Sequence, residues 1–285
     1  MNKDVTIIIL THKSKKLVIE FIKNIHDKFK ILIIDNSNDF ELKQFINKNY
    51  PSIDVHIIEN NGYGAAINYG SKFVKTDYFL ISNPDVTGID ENKISLFIQS
   101  AKKLNNKFSA LGPRYLNANS KSLKQSKDNN SIAEMQFLNG ACMFFLKENF
   151  VKLGGFDEKI FLYFEENDFC KRSHKINKNY QINNIKIKHN TGTSVEISNE
   201  DEKIQQSNLR TWHFIWSKFY FYKKKYGKFI SLIIFVPQFL RIILRISLYF
   251  LNSNKDKKEK YLIRYNGLMT SIKGKKSSIR INDFN

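Results

Sequence analysis

Apolar and polar positions follow two rhythms along the first hundred residues. Short β-branched or aromatic runs occupy residues 5–10, 31–34, 55–58 and 78–81. Between them, residues 15–26, 40–49 and 64–74 carry apolar positions three and four apart, and residues 92–104 repeat that spacing after the fourth run. The first rhythm predicts buried strands and the second amphipathic helices. Their alternation predicts β-α-β units, an α/β fold and a mostly parallel central sheet flanked by helices. Ligands bind such sheets at the carboxyl ends of the strands. The residues just past each run are therefore the first candidates for chemistry: Thr11-His12, Asp35-Asn36, Glu59-Asn60 and Asn83-Pro84-Asp85.

Further along, residues 117–130 are rich in Ser, Lys and Asn and read as a surface loop. An apolar stretch at 137–145 is broken by Asn139-Gly140, and 153–156 reads as a turn. Acids cluster at 165–168, and a strand-like run over 180–188 ends at His189. The composition then shifts at Trp212, where aromatic residues interleave with lysines up to Lys225. Residues 229–251 are strongly apolar, but the longest run without a charge is 229–240, shorter than the ~20 residues of a spanning helix. Ser231, Gln238, Arg241 and Arg245 fall on one helical stripe. That pattern predicts a helix lying in a membrane interface with its cationic stripe toward the headgroups; a buried helix or a dimer seam would share it, and a tilted or re-entrant insertion is open because Arg241 and Arg245 can snorkel.

The expected organisation is a catalytic domain over 1–211, with halves at about 1–110 and 111–211, and a basic, aromatic, amphipathic helical region over 212–285. Charge supports the division. The formal net charge of +19 is concentrated after residue 215, where 16 Lys/Arg meet 3 Asp/Glu. A basic tail on a near-neutral domain suits an anionic surface, lipid or nucleic acid. The tail lacks a recognised nucleic-acid motif, so an anionic membrane is expected and nucleic acid is not. The two cysteines, Cys142 and Cys170, are far apart and support neither a disulfide framework nor a zinc module. Residues 1–4 lead directly into a strand pattern without the features of a signal peptide, which predicts a cytoplasmic protein, peripheral on the inner face of the cell membrane.

Five sites carry candidate chemistry. Asp85 follows an apolar run, where a carboxylate would face the ligand crevice and suit Mg²⁺ or Mn²⁺ with substrate phosphates; Asn83-Pro84-Asp85 is also an ordinary turn sequence. Asp35 suits contact with a base or ribose, or a helix N-cap. The segment Asn60-Asn61-Gly62-Tyr63-Gly64 allows close backbone approach to a ligand. It lacks the third glycine of a dinucleotide fingerprint, because Ile67 stands there. Glu165, Glu166 and Asp168 crowd three acids after four apolar residues, which suits one of them to base chemistry or all of them to a helix N-terminus. His189 ends a strand pattern and matters only if a metal carboxylate is near.

Together, these pieces resemble the inverting family-2 glycosyltransferases of GT-A fold, most closely their bacterial rhamnosyltransferase-like branch. The resemblance runs from Val5 to about Val195 and rests on ordered motifs: Thr6 through Thr11, Ile33-Ile34-Asp35-Asn36-Ser37, Asn60 through Gly64 with Asn68 and Gly70, Asn83-Pro84-Asp85, Phe137 through Ala141, Gly154-Gly155-Phe156-Asp157-Glu158, and Phe161 through Arg172. It implies a nucleotide site of Thr11, Asp35, Asn60, Gly62 and Asn83, with Asp35 on the base. It implies a divalent metal, Mg²⁺ or Mn²⁺, on Asp85 and His189; Asn83 replaces the first Asp of the family's Asp-x-Asp. Glu166 stands where the family's catalytic Asp is usual, with Glu165 as the fallback base. Gly140, Ala141 and Asp168 would meet the donor sugar or acceptor.

The resemblance thus implies an inverting enzyme of cell-surface polysaccharide synthesis. It would move rhamnose from dTDP-rhamnose, or another sugar from a UDP donor, to a glycan or lipid-linked acceptor. Two other readings of the residues remain: a nuclease or phosphotransferase with a two-metal cluster on Asp85, Glu165, Glu166 and Asp168, and a non-catalytic membrane- or nucleic-acid-binding protein.

Overall fold

Residues 7–10 are apolar without alternation because their strand is central and covered on both faces. In the computed structural model this strand, β1 (Asn2–Thr11), lies between β2 (Phe29–Asp35) and β4 (Tyr78–Ser82), parallel to both. β3 (Asp54–Ile57) extends that parallel set beyond β2. The helices α1 (Lys15–Ile22), α2 (Phe40–Asn49) and α3 (Tyr63–Ser71) fill the connections. The structure describes residues 2–117, 125–128, 130–190, 192–197 and 199–284. Most of the expected 117–130 loop lies outside them.

The second half of the sheet departs from the expected parallel plan. After β5 (Val86–Thr87) and α4 (Glu91–Lys103) come β6 (Ala110–Tyr115), β7 (Ile132–Met135), β8 (Cys142–Leu146), α5 (Lys147–Lys152), α6 (Glu165–Ser173) and β9 (Asn179–His189). The strand order is β3-β2-β1-β4-β8-β6-β9-β5, with β7 also paired to β9. β8 inserts antiparallel between β4 and β6, so the sheet is mixed. Periodicity marks a strand but carries no information on its direction, and here the loop 136–141, without a crossover helix, leads from β7 into β8.

Strand ends and helix starts are set locally. Asp39 caps α2 by accepting from Leu42 N at 2.8 Å, and Asp90 caps α4 through Lys93 N at 2.8 Å. Behind α6, Phe169 packs at 5.3, 5.4 and 5.5 Å between ring centroids from Phe145, Phe150 and Phe156. This buried aromatic cluster fixes the helix against the sheet. Asn68 ties α3 to the same region, donating to Phe156 O and accepting from Phe156 N, both at 2.9 Å.

The chain divides into a sheet unit, Met1–Asp157 with Glu165–Glu196, and a helical unit, Glu158–Phe164 with Ile197–Asn285. The break expected at 212 therefore falls inside a helix. That helix, α7 (Glu200–Tyr226), is followed by α8 (Lys228–Leu251) and α9 (Lys255–Ile272), and a 3₁₀ turn spans Ile281–Phe284. Ring pairs Phe219–Phe235 and Phe239–Tyr265 pack α8 against both neighbours. α7 and α9 meet where Gly267 faces Trp212 and Ile215. The segment 158–164 packs on this unit, with Phe161 stacked on His213 at 4.5 Å and Ser217 Oγ donating to Leu162 O at 2.8 Å.

Two features of α8 bear on the membrane expectation. At 24 residues, or about 36 Å, it is long and apolar enough to cross a membrane, since counting only charge-free residues underestimates its reach. Its polar stripe is also split. Ser231 is buried and Gln238 accepts from Lys218 Nζ at 3.2 Å, whereas Arg241 and Arg245 are exposed.

Two stability predictions follow from the helical unit. A Cβ on Gly267 would sit 2.7 Å from Ile215 Cγ2 and 2.8 Å from Trp212 O. Gly267→Ala should therefore cost about 1–3 kcal/mol in a urea titration. His213 is buried with its ring nitrogens on Ser277 Oγ and Ile279 O, and burial lowers its pKa to about 4. The unfolded chain thus takes up that proton first. Stability is full above pH ~6.5 and falls as pH drops toward 4, by about 3 kcal/mol. His213→Gln should flatten that part of the pH profile of thermal unfolding, relative to wild type.

Candidate functional site

The site residues come from strand ends and from the loops those ends meet. Register places Thr11 opposite Asp35 and Ile9 opposite Ser82, so the carboxyl ends of β1, β2 and β4 open on one edge. Polar side chains join them there. His12 Nδ1 and Asn36 Oδ1 are 2.9 Å apart, Asn36 Nδ2 donates to Asn60 Oδ1 at 3.1 Å, and Gly62 N donates to the same oxygen at 3.3 Å. The Thr11 hydroxyl is buried here without a hydrogen-bond partner.

Asp35 is fully buried, and its carboxylate accepts from Ser37 N, Ser37 Oγ and Asp39 N at 3.0, 2.8 and 2.9 Å. The oxygens expected on a nucleobase are engaged by the following turn. The turn presents Asn36, which the motif contained but the sequence reading left without a role.

At the end of β4, Asn83 N donates to Ala141 O at 2.8 Å and Asn190 N donates to Asp85 O at 3.1 Å. The Asp85 carboxylate is 1% exposed and neither oxygen accepts a hydrogen bond. His189 Nε2 lies 3.3 Å from its Oδ1, brought there because Val86 pairs with His189 across β5 and β9. Burying an unsatisfied carboxylate is costly. Two donors bound to one divalent ion at its usual distances stand about 3 Å apart, so this pair fits such an ion. No group of three or more His, Cys, Asp or Glu suited to a metal occurs among the described residues, so the pair would offer an ion two protein ligands.

The acidic cluster lies on the other side of the loop before β8. Tyr63 Oη donates to Gly140 O at 2.7 Å, and a Cβ on Gly140 would meet Glu166 Cβ at 3.4 Å. The charges of Glu165, Glu166 and Asp85 all act on the Tyr63 phenol, whose pKa is raised first by burial. Tyr63 thus sits among the acids, and its place in the glycine-rich motif was the one sequence signal for it. Gly140 and Ala141 link the acids to Asp85 through the Asn83 contact.

The three acids of α6 occupy different environments. Glu165 is buried with Oε2 unpartnered, and burial, then the charge of Glu166, raises its pKa well above the usual range. Glu166 is half-exposed and accepts from Asn167 Nδ2 at 2.8 Å. Asp168, expected near a sugar, is buried and accepts from Arg172 Nε at 2.8 Å. Arg172 continues to Leu153 O and Gly155 O at 2.7 and 2.6 Å. The clamp holds Gly155 at φ +64°, where a Cβ would lie 2.4 Å from Asn68 Oδ1. Asp168 thus serves the turn, which removes a ligand from the two-metal cluster considered from sequence.

Several known proteins are similar to this chain. The profile of "Glycosyl transferase family 2" matches residues 6–245. The low-salt glycan biosynthesis hexosyltransferase Agl10 of Haloferax volcanii is 26% identical over 209 residues, 63% of this chain and 64% of that protein. The chain thus spans less than two thirds of the length of this curated relative. Among solved structures, the mannosyltransferase PcManGT of Pyrobaculum calidifontis, in complex with GDP-Man and Mn²⁺, aligns with TM-score 0.56 at 13% identity, over 95% of this chain and 88% of that one. GalNAc-T7 with UDP, GalNAc and Mn²⁺ aligns with TM-score 0.54 at 15% identity, over 78% and 50%. The mixed sheet with its flanking helices is the GT-A fold, and the chain belongs to glycosyl transferase family 2.

Proposed function

We propose that the chain is an inverting glycosyltransferase that moves a sugar from a nucleotide-sugar donor to a hydroxyl of a glycan or lipid-linked acceptor. The observation that carries this reading is the unsatisfied Asp85 carboxylate beside His189, joined through Asn83, Ala141 and Gly140 to Glu166. It combines a place for a diphosphate-binding cation with an accessible carboxylate.

Asp85 and His189 would hold Mg²⁺ or Mn²⁺, which when bound offsets the charge that develops on a diphosphate leaving group. Thr11, Asn36, Asn60, Gly62 and Asn83 frame the nucleotide, and Asp35 orients the turn carrying Asn36. Glu166 takes the proton of the acceptor hydroxyl. The acceptor oxygen forms a bond to the anomeric carbon as the carbon–diphosphate oxygen bond breaks, and the nucleoside diphosphate leaves with the electron pair. A single displacement inverts the configuration and needs no sugar–enzyme bond. Glu166 is favoured over Glu165 because Glu165 is buried and holds its proton more strongly.

The donor proposed is dTDP-rhamnose, from the likeness to the rhamnosyltransferase-like branch, with UDP-sugars next. The Mn²⁺ in both structural relatives supports metal dependence. The glycan-biosynthesis role of Agl10 supports a growing glycan as acceptor. The exposed apolar face of α8 and the basic C-terminal residues support work at the cytoplasmic face of a membrane.

Two measurements test this. Glu166→Gln should lower kcat about 10²–10⁴-fold while donor affinity by calorimetry stays unchanged; near-native turnover would remove Glu166 from the base role. In wild type, nucleoside diphosphate with Mn²⁺ should raise Tm by several degrees, as expected of a saturating ligand. Asp85→Asn should lose the Mn²⁺-dependent part of that rise, and a retained rise would place the ion elsewhere.

A further inference from the structure

The outward face of α8 is continuous and apolar. Phe229, Ile233, Val236, Leu240, Leu244 and Leu251 recur three, four or seven residues apart and are all exposed, Leu244 at 69% and Leu251 at 77%. Isolated apolar residues on a surface need no explanation, but a helix-long stripe does. The opposite face carries Ser231, Phe235 and Ile242, buried against α7 and α9 in one core with Phe219 and Leu268. α8 is therefore the outer layer of a three-helix unit.

Charge identifies what covers this face. Lys223, Lys224, Lys225 and Lys228 stand at its start, and Lys255, Lys257, Lys258 and Lys260 follow its end. Arg241 and Arg245 run along its margin and are exposed. Cations at both ends and along one edge complement an anionic lipid surface and would repel a second copy of the same face.

Packing decides how α8 meets that lipid. Near the helix midpoint, Gln238 is bonded to Lys218 of α7, and Phe239 packs on Tyr265 of α9, next to Arg264. Arg241 belongs to α8 itself. Were α8 to cross the bilayer with its partners attached, Lys218, Arg241 and Arg264 would all lie near the hydrocarbon centre, where cations are disfavoured. Were it to cross alone, Ser231 and Gln238 would lose their packed surroundings. Embedding from one side avoids both outcomes.

On the reading of the chain as a membrane-face glycosyltransferase, we propose that α8 is a monotopic anchor. It lies in the plane of an anionic leaflet with its apolar face in the acyl region and both ends on the same side, and α7 and α9 stay in the aqueous phase.

The test uses the full chain and sealed phosphatidylcholine–phosphatidylglycerol vesicles. The native cysteines are both buried, so Lys228→Cys and Asn252→Cys each add a single reactive thiol at one end of α8. A membrane-impermeant maleimide added outside should label both variants as fully as it does in detergent. Protection of one end until detergent is added would show a spanning helix and overturn the proposal. Leu244→Asp should reduce vesicle flotation at least tenfold, and flotation should fall similarly on pure phosphatidylcholine. Unchanged flotation of Leu244→Asp would overturn the proposal, as would a lipid-independent dimer that this substitution dissociates. Flotation and labelling need no sugar transfer. Failed transfer with intact anchoring would sink the enzymatic reading alone, and failed anchoring with intact transfer would sink this inference alone.

Discussion

The alignment of β1 with β2 and β4 is the constraint on which the sheet unit rests. Three parallel strands in register bring Thr11, the Asp35 turn and the Asn83-Pro84-Asp85 turn to one edge, although they are separated by about 75 positions in the chain. Buried strands of this kind make slippage expensive, because every side chain is packed on both faces and a one-residue shift inverts them all. The edge is thus positioned by the core. The polar groups on it can then remain unsatisfied, as Asp85 and Thr11 are, without the fold depending on them.

The antiparallel β8 completes the site from the other half of the sheet. It enters through the loop that carries Gly140 and Ala141, which accepts hydrogen bonds from Tyr63 and Asn83 and where a Cβ on Gly140 would meet Glu166. Phe169 and the Asp168–Arg172 pair hold α6 so that the half-exposed Glu166 faces this loop. Such rigidity is what the proposed catalysis by a positioned carboxylate would require. Hydrophobic packing, a buried ion pair and a tight glycine turn all support one side chain.

The helical unit follows a different logic. Its core is small and aromatic, and it buries one face of α8 while leaving the larger apolar face outward. A soluble unit built this way would be prone to association, so its outer layer makes physical sense against lipid. With the proposed anchor, the helical unit would meet lipid, as transfer to a lipid-linked acceptor would require.

The sequence by itself determined the first four strands and the helices between them, because burial on both faces or on one leaves a period that local residues report. It also determined the candidates at strand ends, since a ligand edge is a property of β-α-β order. Strand direction in the second half was not legible, because β8 has the same apolar pattern whichever way it runs. Nor were the environments of the clustered acids: Glu165, Glu166 and Asp168 look alike in sequence, and only the way α6 packs decides which is buried, which is half-exposed and which meets the arginine four residues on. Asp35 was visible as a strand-end carboxylate, but whether it faced a ligand or its own turn depended on the path of the next four residues. The outward face of α8 likewise depended on which side α7 and α9 cover. Periodicity records that a residue is apolar, and tertiary packing alone decides what that residue meets.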